Sequence, residues 1–315
     1  KNLPDMTKSF EDFPRLDLGT NITIGMSAYG NVETTQIALQ QLFNSTGGDF
    51  ELILVDDCSP DNGATRSVFE QVRLQHRNTR LFVFDRNLEY SGSLNAILSH
   101  ATGDWILFIS NDIFVTPAYL RELLDIANSD PRYGIVRGCS NFVDGCVAHQ
   151  NVAPKRQIEN TIDLFAEAQG IYSENHGKLI LDEFLTGDAF LVSRAVVEKV
   201  GTLDPVFSGY FADPDYGLRA QQAGFELVCA LGAFAWHDRA ANLDYLDAEG
   251  RQKKLQRRRQ RVFENWARFK AKYELPAALE FDSGMDTIPW AALRQKPFAH
   301  ETVYRAPGDY SRSLV

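Results

Sequence analysis

The chain has 315 residues, 44% of them hydrophobic and 23% charged, and a formal net charge of -10. That is an ordinary balance for a soluble globular protein, and the length suffices for one large domain or two moderate ones. The acidic total argues against a nucleic-acid binder, and no window approaches the run of about eighteen apolar residues that a transmembrane helix needs.

The opening "KNLPDMTKSFEDF" lacks the apolar run of a signal peptide. The first predicted strand is "NITIGMSAYG", which ends in a Gly-containing loop, and "VETTQIALQQLFN" follows with mostly helical spacing of its apolar residues. "FELILVDDCSPDNG" is a second apolar run that stops at two aspartates and a turn cluster. "ATRSVFEQVRLQHR" reads as helix, "TRLFVFDRN" as strand, "SGSLNAILSHATG" as helix with a Gly stop, and "DWILFISND" as a fourth strand. Alternation of this kind with near-continuous apolar strands predicts an α/β fold with a mostly parallel central sheet covered by helices on both faces. Ligands of such sheets sit beyond the carboxyl ends of the strands, where Asp56, Asp57 and Asp112 fall.

The second half reads differently. Residues 134–185 mix short strands, polar loops and one helical stretch. "FLTGDAFLVSRAVVEKVG" is a strand and then a helix that starts near Ser193, a suitable N-cap. "DPDYGLRAQQAGFELVCALGAFAWHD" gives helix, Gly stop and strand. Residues 242–274 read as a long helix packed through Val262, Phe263, Trp266 and Phe269, and the tail with Pro276, Pro289, Pro297 and Pro307 as irregular. Residues 251–272 carry ten Lys/Arg against one Glu. Cys58, Cys139, Cys146 and Cys229 show no metal-binding spacing and read as free thiols of a reducing compartment.

Several constellations carry chemistry. Adjacent Asp56 and Asp57 repel each other, so they require hydrogen-bond donors, from a helix N-terminus or from a ligand. Asn87, Ser91, Gly92 and Asn95 surround a helix start, where small residues let a ligand approach the backbone. Asp112 follows Asn111 at a strand end, and a single carboxylate there holds Mg²⁺ or Mn²⁺ if a diphosphate completes the shell. Asp213 and Asp215 precede a helix; one serves its cap or dipole and the other is free for acid–base work. His237 ends an apolar strand and becomes a ligand only if other ligands converge on it.

Taken together these motifs resemble glycosyltransferase family 2, inverting enzymes of the GT-A fold, and within it the rhamnosyltransferase-like branch. The similarity spans about residues 20–240. "ITIGMSAYGN" resembles the family's first strand and nucleotide loop, and "ILVDDCSPD" its Val-Asp-Asp-x-Ser stretch. "NLEYSGSLNAILSHATGDWILFISNDIFVTP" resembles the approach to its DxD motif, and "TGDAFLVSRAVVEKVGTLDPVFSGYFADPDYGLRAQQAG" the acceptor-side segment with its ED motif. The resemblance implies that Asp56 and Asp57 contact the nucleoside, with Ala28, Tyr29, Asn87, Ser91, Gly92, Asn95 and Asn111 completing the nucleotide-sugar site. It implies Asp112 and His237 as ligands of a divalent metal, Mn²⁺ or Mg²⁺, and Asp213 as the catalytic base. Ser110, Ala212 and Leu94 depart from the pattern, standing where relatives carry the first Asp of DxD, the Glu of ED and an Arg.

The expected organisation is an N-terminal extension (1–19), a nucleotide-sugar-binding half (20–117), an acceptor-binding half with the base (118–241), and a C-terminal helical extension, a basic helix and irregular tail (242–315). The expected activity is metal-dependent inverting transfer of a sugar from a UDP- or dTDP-linked donor to a hydroxyl of a glycan or lipid-linked acceptor in bacterial surface polysaccharide synthesis. The expected location is cytoplasmic, peripheral to the inner membrane face, with residues 251–272 meeting a membrane surface or a partner domain. A nucleotidyltransferase, or an inactive nucleotide-sugar-binding scaffold, is the alternative.

Overall fold

A computed structural model describes residues 14–143, 147–238, 248–281 and 285–305. Cys146, Pro307 and the first thirteen residues lie outside them. The first third runs β1 (Leu16–Leu18), β2 (Ile22–Ala28), α1 (Val32–Ser45), β3 (Thr46–Gly48), β4 (Glu51–Asp56), α2 (Ala64–Gln75), β5 (Thr79–Val83), α3 (Glu89–His100) and β6 (Trp105–Ser110). Then follow β7 (Ile113–Phe114), α4 (Pro117–Ser129), β8 (Tyr133–Ser140), α5 (Thr161–Asn175), β9 (Leu179–Leu181), β10 (Ala189–Ser193), α6 (Arg194–Val200), α7 (Ala212–Gln222), β11 (Glu226–His237), α8 (Ala248–Tyr273) and α9 (Trp290–Arg294).

One nine-stranded sheet runs β5-β4-β2-β6-β10-β8-β11-β7, with β9 on β11. β5, β4, β2 and β6 are parallel, whereas β10 is antiparallel to both neighbours, β6 and β8. The strands read as unbroken apolar runs because both faces are covered. Along β6, Leu107 and Ile109 enter one core while Ile106 and Phe108 enter the other. Each such side chain contributes roughly 1.5–3 kcal/mol through burial. Gly25 allows α3 to cross β2 closely, since a Cβ there would sit 2.4 Å from a methyl of Ile97.

Register then assembles the site. Ala28 pairs with Asp56 and Ser27 with Ser110, so β2, β4 and β6 end level with one another. β10 joins the two halves directly, Ala189 facing Ile109 and Ser193 facing Trp105. The N-cap at Ser193 is present, its hydroxyl accepting from Val196 N–H at 3.2 Å. α4 has no counterpart in the sequence reading, which stopped at Pro117. Pro117 is its first residue, a position that needs no N–H, and Thr116 accepts from Tyr119 N–H at 3.0 Å as the cap.

Two expectations for the C-terminal region need correction. α8 packs through Trp266, Phe269 and Tyr273, but Phe263 is 48% exposed and lies against the Arg259 guanidinium instead. The buried face is the stripe of Val262, Trp266, Phe269 and Tyr273 at helical spacing, and Phe263, one position past Val262, falls outside it. The tail is not wholly irregular either: α9 buries Trp290, which stacks on Phe184 at 5.2 Å.

Candidate active site

The nucleotide-side residues gather where β2 and β4 end. Asp56 is buried and accepts from Ser59 N–H at 2.9 Å, while Ser59 Oγ accepts from Gly30 N–H at 2.9 Å. These bonds tie the two loops together. Asp57 is buried beside the start of α3 and accepts from Leu88 N–H at 2.6 Å. Burial raises its pKa to about 7 against the pull of the Leu88 and Glu89 N–H groups and the Ser93 hydroxyl. Ala28 is buried, its carbonyl accepting from Asp57 N–H at 2.9 Å, and Tyr29 next to it is 48% exposed. Asn111 donates to Thr35 Oγ1 at 2.8 Å, which holds it against α1.

The α3 residues are placed differently from one another. Asn87 accepts from Glu89 N–H at 2.7 Å in the turn before the helix. Ser91 donates to the Phe207 carbonyl at 2.5 Å, and Asn95 brackets the Leu203 backbone with bonds of 3.1 and 2.8 Å. Both side chains are buried and join α3 to the segment before α7. Gly92 is small because Leu88 packs on it; a Cβ there would lie 2.3 Å from Leu88 Cβ. Leu94 is fully buried in the core, so that position on α3 faces away from solvent.

Asp112 and His237 do converge. β7 pairs antiparallel with the end of β11, Ile113 opposite His237, and Asp112 Oδ2 lies 3.6 Å from His237 Nε2. Nδ1 of the same ring is 2.9 Å from the Phe142 carbonyl, which accepts its N–H and leaves Nε2 turned toward Asp112, free to ligate an ion. Burial opposes charging His237, but the Asp112 carboxylate, with Asp188 and the Phe142 carbonyl, outweighs it and lifts the pKa to about 9. One carboxylate and one imidazole at this separation fit a divalent ion that takes its remaining ligands from diphosphate and water. Among the described residues, two other compact groups could hold an ion: His149, Asp182 and Cys229, and Glu122, Asp125 and His176.

Asp213 stands in the first turn of α7. Phe211 just before it adopts a left-handed backbone, φ 70°, held by its ring against Trp266 at 5.5 Å and Phe269 at 5.3 Å. Burial raises the Asp213 pKa to about 7, opposed by its own and the Gly187 backbone N–H, with Asp188 adding to the rise and Arg137 reducing it. Asp215 has the structural role. It is fully buried, accepting from Arg219 Nε at 2.9 Å and from Tyr273 Oη at 2.8 Å, and it also pairs with Lys272.

Sequence reasoning passed over Tyr90 and Arg137 here, and named Asp188 only as a fallback for the base. Tyr90 donates to the Gly187 carbonyl at 2.9 Å and Asp188 lies 3.6 Å from His237 and 3.1 Å from buried Arg137. Tyr90 lies inside the "NLEYSG" stretch already singled out. Arg137 gave no signal, because its partner Asp188 reaches it from a segment about fifty positions away.

A family profile, "Glycosyl transferase family 2", matches residues 23–201. Among curated relatives, the succinoglycan biosynthesis protein ExoO of Rhizobium meliloti is 30% identical over 116 residues, 37% of this chain and 32% of its own length. The N-acetylglucosaminyl-diphospho-decaprenol L-rhamnosyltransferase of Mycobacterium tuberculosis is 26% identical over 204 residues, 57% of this chain and 65% of its own length. The chain thus spans less than two thirds of either relative. Among solved structures, a mannosyltransferase of Pyrobaculum calidifontis in complex with GDP-Man and Mn²⁺ aligns with TM-score 0.52 at 16% identity, covering 85% of this chain and 67% of that one. GalNAc-T7 with UDP, GalNAc and Mn²⁺ aligns with TM-score 0.53 at 12% identity, covering 72% and 44%. Both have the GT-A fold, which the mixed sheet flanked by helices shares. The profile covers more than half of the sequence, and on that ground the chain belongs to glycosyl transferase family 2.

Proposed function

We propose that the protein transfers a sugar with inversion from a UDP- or dTDP-linked donor to a hydroxyl of a glycan or lipid-linked acceptor in bacterial surface polysaccharide synthesis. The observation that carries this is the pairing of Asp112 with His237 on the same edge as the raised carboxyl of Asp213. Asp56 and Asp57 hold the nucleoside, with Tyr29 exposed beside them to cover the base. Ala28, Asn87, Gly92 and Asn111 shape the loops around the nucleotide, while Ser91 and Asn95 fix α3. Asp112 and His237 hold a divalent ion, Mn²⁺ or Mg²⁺, which when bound neutralises charge on the leaving diphosphate. Asp213 takes the proton of the acceptor hydroxyl as that oxygen attacks the anomeric carbon.

Titration calorimetry with UDP and dTDP, in Mn²⁺ and in EDTA, tests the reading. Nucleotide affinity should fall at least about tenfold in EDTA, and Asp112→Ala should remove the difference, because few protein ligands leave the ion dependent on the diphosphate. Equal affinity in both buffers would sink the role of the ion.

The polybasic face of α8 fits an anionic surface, a membrane carrying the lipid-linked acceptor. No helix among the described residues is long and apolar enough to cross a membrane. A peripheral contact through Arg257, Arg258 and Arg259 would gain roughly 1 kcal/mol per side chain. Reversing those three to Glu should abolish flotation with anionic vesicles and leave UDP binding unchanged. Unchanged flotation would leave α8 a purely structural element.

A further inference from the structure

Asp188 has one buried oxygen that the fold meets with an ion pair but with no well-aligned hydrogen bond. Its Oδ1 is buried and receives no hydrogen bond. Arg137 Nη1 lies 3.1 Å away as an ion pair, while Nη1 and Nε also donate to the carbonyls of Thr186 and Gly138, at 2.9 and 3.0 Å. Asp188 Oδ2 lies 3.6 Å from His237 Nδ1, whose proton already goes to Phe142. A buried acceptor whose neighbouring cation is not aligned to donate to it is only partly satisfied, which leaves it able to take a donor that arrives from outside.

The surroundings say what that donor is. On one side, Asp188 touches the imidazole of the Asp112–His237 pair. On the other, Gly187 backs directly on Asp213, since a Cβ at Gly187 would sit 2.7 Å from Asp213 Cβ. Asp188 therefore lies between the group that faces the diphosphate and the group that faces the acceptor. In an in-line displacement the unit between those two is the sugar being transferred. Arg137, itself buried, pairs with the carboxylate and fixes it in place. A carboxylate so held accepts hydrogen bonds and donates none, which suits sugar hydroxyls.

We infer that Asp188 is a specificity-determining residue that reads hydroxyl groups of the donor's sugar ring. The inference rests on the proposed sugar transfer and goes beyond it by separating recognition of the sugar from recognition of the nucleotide and from proton removal.

The test is calorimetry in Mn²⁺ with two ligand pairs, UDP against UDP-glucose and dTDP against dTDP-rhamnose, on wild type, Asp188→Asn and Asp188→Ser, each first shown to unfold cooperatively. For whichever pair wild type binds, affinity for the sugar nucleotide should fall at least about tenfold in both variants while the bare nucleotide stays within about threefold. A set of deoxy-sugar donors gives a check on the wild type alone: the analogue lacking the hydroxyl that Asp188 reads loses a similar factor, and loses nothing further in the variants. If nucleotide and sugar nucleotide weaken together, Asp188 serves the ion and the inference fails. If both affinities hold while turnover is lost, it serves proton transfer and the inference fails again. If wild type binds none of the four ligands, the proposed sugar transfer falls and takes this inference with it.

Discussion

Asp213→Asn lowers kcat/KM for transfer by about 10²–10⁴-fold while UDP or dTDP affinity stays within about threefold. The factor is that of a lost general base, and the affinity should hold because in the proposed reaction this side chain meets the acceptor and not the nucleotide. The pH profile of the wild type checks the same residue. Burial has raised the carboxyl to about 7, and only the ionised form accepts a proton, so kcat/KM climbs with pH through about 7 and levels off above it. Stability runs the opposite way. The folded-state pKa lies above the ordinary value of 3.8, so the folded chain binds more protons between the two, and stability contributed below pH 4 is lost as pH rises toward 7. Urea unfolding at pH 5 and pH 8 should therefore show wild type losing more stability than Asp213→Asn, by on the order of 1 kcal/mol once partial exposure is allowed for. A profile flat from pH 5 to 9 with near-normal turnover in the variant would move the base elsewhere.

Asp215→Ala, two residues away, is the most destabilising single change expected. It removes the carboxylate from Arg219, which is 1% exposed and donates as well to the carbonyls of Val200 and Thr202 at 3.0 and 2.8 Å. A buried cation left without its partner typically destabilises by about 3–5 kcal/mol. For a chain of this size that lowers the thermal midpoint by on the order of 10 °C. The contrast is Arg261→Ala, which breaks a partly exposed ion pair with Glu89 at 2.5 Å and should change stability by less than about 1 kcal/mol. Calorimetric midpoints of the two variants check the ranking, and comparable shifts would mean that burial does not set the strength of these pairs.

Much of the fold was legible because its strands declare themselves twice. "LILV" and "ILFI" are apolar without alternation, as strands covered on both faces must be, and each gives way to polar residues, Asp56-Asp57 after the first and Ser110-Asn111-Asp112 after the second. Asp213 and His237 were legible only through the order of motifs around them. What stayed hidden depends on pairing across distant segments. Asp213 and Asp215 look alike in sequence, and only the arrival of Arg219, Lys272 and Tyr273 separates the buried anchor from its neighbour. Ser91 and Asn95 read as ligands because small polar residues at a helix start suit an anion; their backbone partners at 203 and 207 lie more than a hundred positions away. α4 escaped because a proline that can end an element can equally begin one.

The two ends of α8 have opposite mechanical character. Trp266 and Phe269 clamp its last third against Phe211, the residue that aims the turn bearing Asp213, whereas the stretch around 251–257 stands out from the body. A helix of 26 residues is a rod of about 39 Å. Anything that grips its outer end therefore fixes an angle as well as a distance. A flexible tether would raise the local concentration of acceptor and leave the enzyme free to tumble. A lever anchored beside Asp213 would set which way that edge of the sheet points, so inserting a flexible Gly-Ser hinge near residue 262 should preserve attachment and turnover on a freely diffusing acceptor while slowing turnover on one confined to a surface.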